Sequence, residues 1–385
     1  MILKRSIDAQ VEAYLQGDSY KTLFIWGPRR SGKTTLLKRL SKELNIPFFN
    51  FDYQPDRELF IPRRDVLEKL VASHKVILID EVQNSPESTV ALKLLYDDFK
   101  VKVIATGSSE LRQKANQEFD TMAGRFHEAY CLPLSIQEIV NNTTTPAYEK
   151  ELFFDDLQKK LQIYGTYPEI YTGEKIPEAE KIDLLEKILN TYVLKDVIDI
   201  YDLKNEKLAR DILTKIALQL GSEVSIREIA LSLNANQITV SNYIEIFIKN
   251  YILIPLPSFR TNARNAVSDN RKLYFYDLGI RNVLVKDFRD LELRPDKGGV
   301  FENFIVSEIE KQRKNSGEKL SMYFYREYGG KEVDLILEDY KKNYTAIEIK
   351  TIKGDVKKIF PIPHTQETVN TQNYFDKITA IFQSF

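Results

Sequence analysis

The chain has 385 residues, 43% of them hydrophobic and 29% charged, which is enough for two or three domains with apolar cores. Because 55 Lys and Arg residues stand against 56 Asp and Glu residues, a nucleic-acid site would have to be a local basic patch. The single cysteine, Cys131, excludes an internal disulfide and a cysteine zinc site. The sequence shows neither a signal peptide nor an apolar run near the roughly 18 residues of a membrane span, so we expect a cytoplasmic protein with no membrane partner.

The first motif along the chain is GPRRSGKTT at residues 27–35, which fits the pattern G-x-x-x-x-G-K-[ST]. An apolar run at residues 22–26 precedes it, and leucines at helical spacing follow at residues 36–40. A strand, a glycine-bounded loop and a helix in this order let backbone N–H groups and a helix N-terminus surround a phosphate. The pattern therefore predicts a nucleoside triphosphate site. The predicted ATP-binding residues are Gly27, Pro28, Arg29, Arg30, Ser31, Gly32, Lys33, Thr34 and Thr35.

A second apolar run, at residues 76–79, ends in two acidic residues, Asp80 and Glu81. Such a run is typical of a buried parallel strand, whose carboxyl end lies beside the phosphate loop in an open α/β sheet. We expect Lys33 to contact the β- and γ-phosphates, and Thr34 and Asp80 to hold Mg²⁺. Glu81 is expected to polarise the attacking water, which favours hydrolysis over nucleotide storage. The alternative is an ordinary strand that ends in acidic residues.

The next apolar run, at residues 101–105, predicts a third strand whose polar end lies beside the second. Thr106, Ser108 and Ser109 follow it, and each hydroxyl is a candidate for orienting the attacking water or sensing the γ-phosphate. We take Ser108 as the catalytic candidate. The alternative for each of the three is an ordinary transition from strand to turn.

Arg125 lies in an apolar setting at residues 122–128. Its guanidinium would either stabilise transition-state charge, in the same or a neighbouring subunit, or form a structural ion pair. The sequence leaves both roles open.

The polar, helix-breaking stretch at residues 141–146 is the predicted end of the first domain, residues 1–146. Residues 147–205 have an amphipathic stripe at helical spacing and predict a helical lid. Residues 206–277 have the rhythm of a winged helix-turn-helix: a helix, a second helix capped by Ser225, a turn, a third helix and two wing strands.

The predicted wing carries Arg260, Arg264, Arg271 and Lys272 against one acid, Asp269. Because phosphate contacts dominate affinity for DNA, these cations would carry most of the binding. The third helix is polar enough for base edges but poor in cations. The alternative is a winged helix that serves as a rigid spacer or as a protein-binding surface.

Residues 278–385 hold a second candidate site. Asp334 lies in a predicted strand, and Glu348 and Lys350 share one face of the next strand because side chains alternate with a period of two. An Asp followed by an acid-x-Lys on the adjacent strand is the arrangement of PD-(D/E)xK nucleases, and Glu302 would assist from the preceding helix. Asp334 and Glu348 would share Mg²⁺, and Lys350 would steady the attacking water or the phosphate. The alternative is an inert binding module of the same fold.

The strings that carry a family resemblance are GPRRSGKTTLL, VILIDEVQN, IATGSSE, MAGRFHE and CLPLSIQEI in the first 140 residues, and YGTYPE, YVLKDVID, KLYFYDLGIRN, GGVFENFI and KEVDLIL with IEIK after them. They resemble the prokaryotic AAA+-type P-loop ATPases whose N-terminal ATPase domain is followed by a region of unknown function. The resemblance covers nearly the whole chain. It implies ATP and Mg²⁺ as cofactors and a restriction-endonuclease-like fold for the C-terminal domain.

We therefore expect an α/β protein with a P-loop NTPase parallel-sheet domain, a helical lid plus winged helix, and a C-terminal α/β restriction-endonuclease-like domain. The expected function is ATP binding and hydrolysis coupled to a winged-helix and nuclease-like region that acts on or near DNA. The rival is a nucleotide-gated regulatory or signalling switch whose inert C-terminal domain binds a protein partner. A homo-oligomer is compatible with both.

Overall fold

The structure is a computed structural model of the chain. It describes residues 3–72, 74–108, 122–173, 176–195, 205–260, 271–327, 330–351 and 359–384. The chain divides into two compact units, Ile2–Pro133 and Leu134–Phe385. This division falls before residue 146, the predicted end of the first domain. Within the described stretches, no helix combines the length and the hydropathy that crossing a bilayer requires.

The first unit is built on a five-stranded parallel sheet with the strand order β2-β3-β4-β1-β5. Its strands are β1 Thr22–Trp26, β2 Phe48–Asn50, β3 Val76–Asp80, β4 Lys102–Gly107 and β5 Phe126–Tyr130. All five residues of β1 are buried, as expected for a strand covered on both faces. Ile25 pairs with Thr106, and Ile79 pairs with Ala105. The three strands predicted from apolar runs are therefore present, and their carboxyl ends meet at one edge of the sheet.

Helices cover this sheet and place the phosphate loop. The described α-helices are Ser6–Gln16, Lys33–Leu44, Gln54–Glu58, Arg64–Val71 and Thr89–Leu94, with 3₁₀ turns at Val82–Asn84 and Pro86–Ser88 and a π-helical segment at Leu95–Phe99. Leu37 lies in one apolar cluster with Ile25 and Ile104, so the leucine spacing after the loop does mark a face that packs on the sheet. This packing holds the first turn of the helix next to the end of β1.

The second unit begins with a largely helical region. Its described α-helices are Ile136–Asn141, Lys150–Tyr164, Pro168–Thr172, Glu178–Lys187, Glu206–Ala217, Ile226–Ser232, Gln237–Lys249, Leu278–Val285, Lys297–Ser316 and Tyr374–Gln383, with 3₁₀ turns at Ala147–Glu149 and Leu291–Leu293 and a π-helical segment at Ile188–Lys195. Leu185, Ile212, Phe247 and Ile280 belong to one buried apolar cluster. The segments predicted as a lid and as a winged helix therefore share a single core.

The region predicted as a winged helix-turn-helix contains elements of the expected type and order. Its three helices lie between residues 206 and 249, and the hydroxyl of Ser225 accepts a hydrogen bond from the N–H of Glu228 at 3.2 Å. Strands β6 Leu253–Pro257 and β7 Arg271–Phe275 then form an antiparallel ribbon. The name winged helix, with its implied use on DNA, stays a prediction.

The last part of the second unit is a four-stranded sheet with the order β11-β10-β9-β8. Its strands are β8 Ser321–Arg326, β9 Glu332–Glu338, β10 Tyr344–Lys350 and β11 Thr365–Asn370. Strands β9 and β10 are antiparallel, and Leu335 pairs with Ile347, which brings Asp334 and Glu348 to neighbouring positions.

The buried side chain of Asn303 joins the helix Lys297–Ser316 to β7. Asn303 donates from Nδ2 to the carbonyl of Phe275 and accepts from its N–H, both at 2.8 Å. A buried amide is stable when both of its polar ends are satisfied in this way. The bond pair fixes the side chains of the helix, including Glu302, relative to those of the ribbon.

Candidate functional site

Lys33 is the first residue of the helix that follows the phosphate loop, and its side chain is buried. Its ammonium donates to the carbonyl oxygens of Gly27 at 2.8 Å and Pro28 at 2.9 Å. Burial lowers the pKa of Lys33, and the negative charges of Glu81 and Asp80 oppose that shift. The predicted phosphate-binding cation and both predicted carboxylates are therefore electrostatically close.

The other predicted ATP-binding residues surround this ammonium with different exposures. Gly27, Pro28 and Ser31 are buried, Arg29, Gly32 and Thr34 are half-buried, and Arg30 and Thr35 are exposed. Within the described part of the chain, the buried hydroxyl of Ser31 has no hydrogen-bond partner. A buried polar atom in this state is costly unless a ligand or water completes it, which suits a loop that receives phosphate oxygens.

Arg5, which lies outside the motif, forms a hydrogen bond with the backbone of the phosphate loop. Its Nη1 donates to the carbonyl of Ser31 at 2.8 Å, and its Nη2 donates to the carbonyl of Leu132 at 2.7 Å. Sequence reasoning missed this residue because no pattern relates a lone arginine to a loop 26 residues later.

Asp80 ends β3 and is buried beside β4. The hydroxyl of Thr106 donates a short hydrogen bond to its Oδ1. Thr106 was a candidate for orienting water, but in this structure its hydroxyl is engaged with Asp80. Glu81 follows in the left-handed region, with φ 53° and ψ 43°, and is half-buried.

Ser108 is buried at the end of β4, where its hydroxyl accepts a hydrogen bond from Nε2 of Gln83 at 3.1 Å. The same nitrogen donates a short hydrogen bond to Glu81. Sequence reasoning placed Glu81 and Ser108 in the same site but missed the glutamine that joins them. The one sequence signal for Gln83 was a glutamine two residues after Glu81 in the string DEVQN. Ser109 lies outside the described residues.

Arg125 pairs with Asp97, with 2.9 Å between Nε and Oδ1. Both side chains are about one-third exposed. Of the two roles that the sequence left open, this contact matches the structural ion pair.

Three carboxylates converge in the second unit. Oxygen atoms of Glu302, Glu332 and Asp334 lie within 4.8 Å of one another. The structure thus brings together the predicted Glu302 and Asp334, and it adds Glu332, which sequence reasoning missed. Glu348 stands outside this trio and forms an ion pair with Lys350 at 3.3 Å.

Lys272 corrects the prediction of a phosphate-binding wing. Its side chain is 1% exposed, and its ammonium forms ion pairs with Glu302 at 3.0 Å and with Glu332 at a shorter distance. Burial alone would lower the pKa of Lys272, but these two carboxylates outweigh burial and raise it. A buried lysine that is neutralised from two sides cannot contact DNA phosphates, so this part of the prediction was wrong.

The other two described cations of the predicted wing have different surroundings. Arg271 forms an ion pair with Glu245 at 2.7 Å, whereas Arg260 is exposed. Arg264 and Asp269 lie outside the described residues.

Among the acidic trio Glu302, Glu332 and Asp334, the pKa of Asp334 is strongly shifted. Burial raises the pKa of Asp334 to about 7, and the charges of Glu302 and Glu348 add to the rise. The N–H of Ile349, 2.7 Å from Asp334 Oδ2, and the ammonium of Lys272 act in the opposite direction. Asp334 therefore titrates near neutral pH, where most carboxylates are fully ionised.

Three family models match successive parts of the chain. Residues 19–140 match the family model of an AAA domain. Residues 155–292 and residues 297–360 match the models of two different domains of unknown function.

Two relatives align with most of the chain, and both are uncharacterised. One, from Haemophilus influenzae, is 23% identical over 275 residues, which are 67% of this chain and 67% of that protein. The other, from Methanocaldococcus jannaschii, is 24% identical over 324 residues, which are 74% of this chain and 65% of that protein. The chain thus spans about two thirds of the length of these relatives.

Solved structures with partial similarity include a branch migration motor and a helicase. The RuvB Holliday junction branch migration motor of Thermotoga maritima is 19% identical, with a TM-score of 0.29, 66% of this chain covered and 87% of that one. The Pif1 helicase of Bacteroides is 16% identical, with a TM-score of 0.25, 50% of this chain covered and 51% of that one. TM-scores of this size do not establish a common fold. The family match, the parallel sheet and the loop between β1 and its helix together identify residues 19–140 as an AAA-type P-loop domain.

Proposed function

We propose that the first unit binds ATP with Mg²⁺ and hydrolyses its γ-phosphate. The observation that carries this proposal is the meeting of Lys33, Asp80 and Glu81 at the carboxyl edge of the parallel sheet, where both carboxylates oppose the effect of burial on the pKa of Lys33. Open α/β sheets bind their ligands at this edge.

The residues present fit both the nucleotide and the metal. The Lys33 ammonium already lies inside the loop, where its bonds to two carbonyl oxygens can be exchanged for bonds to phosphate oxygens. Thr34 and Asp80 would hold Mg²⁺ through a hydroxyl and a carboxylate oxygen, which are hard ligands suited to this ion. Bound Mg²⁺ neutralises charge on the β- and γ-phosphate oxygens.

Glu81 is the proposed base of the reaction. As the water oxygen bonds to the γ-phosphorus, the bond from phosphorus to the bridging oxygen breaks and ADP leaves with that electron pair. The proton of the attacking water passes to the carboxylate of Glu81. Glu81 is half-buried and so keeps part of its surface in contact with solvent.

The second unit supports two interpretations, a nuclease site and an inert binding region, and the ion pairs of Lys272 favour the second. Glu302, Glu332 and Asp334 offer oxygen ligands that a divalent cation would accept, as a nuclease site requires. Lys272 already supplies positive charge to two of the three, so a metal would have to displace a buried ammonium. We therefore favour the nucleotide-gated switch, in which the C-terminal region binds a protein partner and does not cleave DNA.

Lys33→Ala and Glu81→Gln should separate binding from turnover. Loss of the Lys33 ammonium removes a charge-assisted contact of about 1.5–3 kcal/mol, so affinity for ATP should fall roughly ten- to hundredfold. Glu81→Gln keeps the shape but not the basicity, so it should retain ATP and lose about 10²–10⁴-fold in kcat. A fluorescent ATP analogue measures binding, and released phosphate measures turnover.

The matched control for these variants is Lys38→Ala, which removes an exposed lysine from the same helix and should leave both quantities unchanged. Normal hydrolysis by Glu81→Gln would show that another residue activates the water.

Metal titration tests the choice between switch and nuclease. Calorimetry with MnCl₂ on the nucleotide-free chain should give the same isotherm for the wild type and for Asp334→Ala, because Lys272 neutralises the trio. A saturable isotherm that Asp334→Ala abolishes, accompanied by Mn²⁺-dependent cleavage of plasmid DNA, would establish the nuclease reading instead.

The raised pKa of Asp334 predicts a pH dependence of stability. The folded chain retains a proton on this residue that the unfolded chain releases above its ordinary pKa of 3.8, so the contribution of Asp334 to stability is lost as pH rises through about 7. Asp334→Asn cannot titrate. In urea unfolding, the wild type should therefore lose stability relative to Asp334→Asn between pH 5 and pH 8. A difference that is independent of pH would show that the carboxylate has an ordinary pKa.

A further inference from the structure

Gln83 is a buried glutamine in the turn that follows β3. It lies in the 3₁₀ turn Val82–Asn84, two residues after Glu81, and its side chain is fully buried. Burying a primary amide is unfavourable unless its donors and its acceptor find partners. The contacts of Gln83 therefore account for its position.

Both polar atoms of this amide face the candidate site, and together they form three hydrogen bonds. Nε2 donates to Oε2 of Glu81 and to the hydroxyl of Ser108, the latter at 3.1 Å. Oε1 accepts from the backbone N–H of Ser108 at 3.2 Å. The side chain of Gln83 thus links the proposed base, which follows β3, to Ser108, which follows β4.

The sheet is shaped to admit this amide. A Cβ at Gly107 would lie 2.8 Å from Oε1 of Gln83 and 2.6 Å from the ring of Trp26, so only glycine leaves room for the glutamine against β4. The segments DEVQ at residues 80–83 and TGS at residues 106–108 are therefore in direct contact, although 25 residues separate Gln83 from Ser108.

We infer that Gln83 is a positioning residue for hydrolysis: it holds one carboxylate oxygen of Glu81 against the end of β4 and leaves the other for the attacking water. This inference rests on the proposed ATPase function. A carboxylate on a left-handed turn has several rotamers available, and the amide selects one of them. Because Ser108 shares the amide, a shift at the end of β4 changes the orientation of Glu81.

The same bonds would join β3 to β4 if Gln83 had only a structural role, so the test needs a readout other than stability. Gln83→Met removes all three bonds at similar volume. Gln83→Glu keeps the acceptor for the N–H of Ser108 and loses the donor to Glu81 at neutral pH. Ser108→Ala keeps its own backbone N–H bond to Gln83 and loses only the hydroxyl.

The control for loss of a buried glutamine is Gln162→Met. Gln162 is buried in the second unit, and its amide nitrogen donates to the carbonyl of Gln158 at 3.1 Å. It should lower the thermal midpoint without changing hydrolysis.

The experiment measures kcat, the affinity for a fluorescent ATP analogue and the thermal midpoint for the full chain and these four variants. We expect Gln83→Met to lower kcat roughly ten- to hundredfold with unchanged affinity, since misplacement of a reacting group by about 1 Å can have this effect. Ser108→Ala should lower kcat less. The kcat of Gln83→Glu relative to the wild type should rise as pH is lowered, because protonation restores a donor to Glu81.

Two results would overturn the inference, and they differ. If the wild type hydrolyses ATP and both Gln83 variants retain its kcat, Gln83 is structural and the ATPase proposal survives. If the folded wild type binds ATP but does not hydrolyse it, the ATPase proposal and the role of Gln83 fail together. Should Gln83→Met not fold, the pH dependence of Gln83→Glu decides the matter alone.

Discussion

The parallel pairing of β3 with β4 and of β4 with β1 is the constraint on which the candidate active site depends. Parallel strands end at the same edge of a sheet, so the segments that follow them meet there. The phosphate loop follows β1, Asp80 ends β3, and Thr106 precedes Ser108 at the end of β4. Three segments that are far apart in the sequence thereby form one polar site at the edge of a buried apolar sheet. The hydrogen bond from Thr106 to Asp80 and the amide of Gln83 then connect neighbouring strand ends.

Much of this first unit could be predicted from the sequence, because its strands are continuous apolar runs and its loop has fixed glycine spacing. The sequence could not identify Gln83, Arg5 or the partner of Arg125, since each contact joins residues that only the folded sheet brings together. For Lys272, the same inability to foresee contacts in space led to a wrong prediction. As a string it belongs to a basic wing, yet its neighbours in space are carboxylates on a helix and on a strand further along the chain.

Two of the strings that carry the family resemblance in the second unit have a structural role. Asp277, in KLYFYDLGIRN, accepts from the N–H of Thr166 at 2.6 Å and from its hydroxyl at 3.1 Å, and so joins that string to YGTYPE. Asn282 donates to the carbonyls of Gln162 at 2.9 Å and Ile163 at 2.8 Å. These buried polar groups hold the helices of one core together. The residues of these two strings that the hydrogen bonds involve therefore have a packing role.

The central claim is that the loop at residues 27–35 receives the phosphates of ATP, and amide hydrogen exchange tests it most directly. Backbone N–H groups that donate to phosphate oxygens exchange slowly, whereas those of an unliganded loop are open to solvent. The account predicts that saturating ATP with Mg²⁺ slows exchange at residues 27–35 in the full chain, and that Lys33→Ala largely removes this protection at the same ATP concentration. Saturating nucleotide that protects another segment and leaves residues 27–35 unchanged would contradict the account.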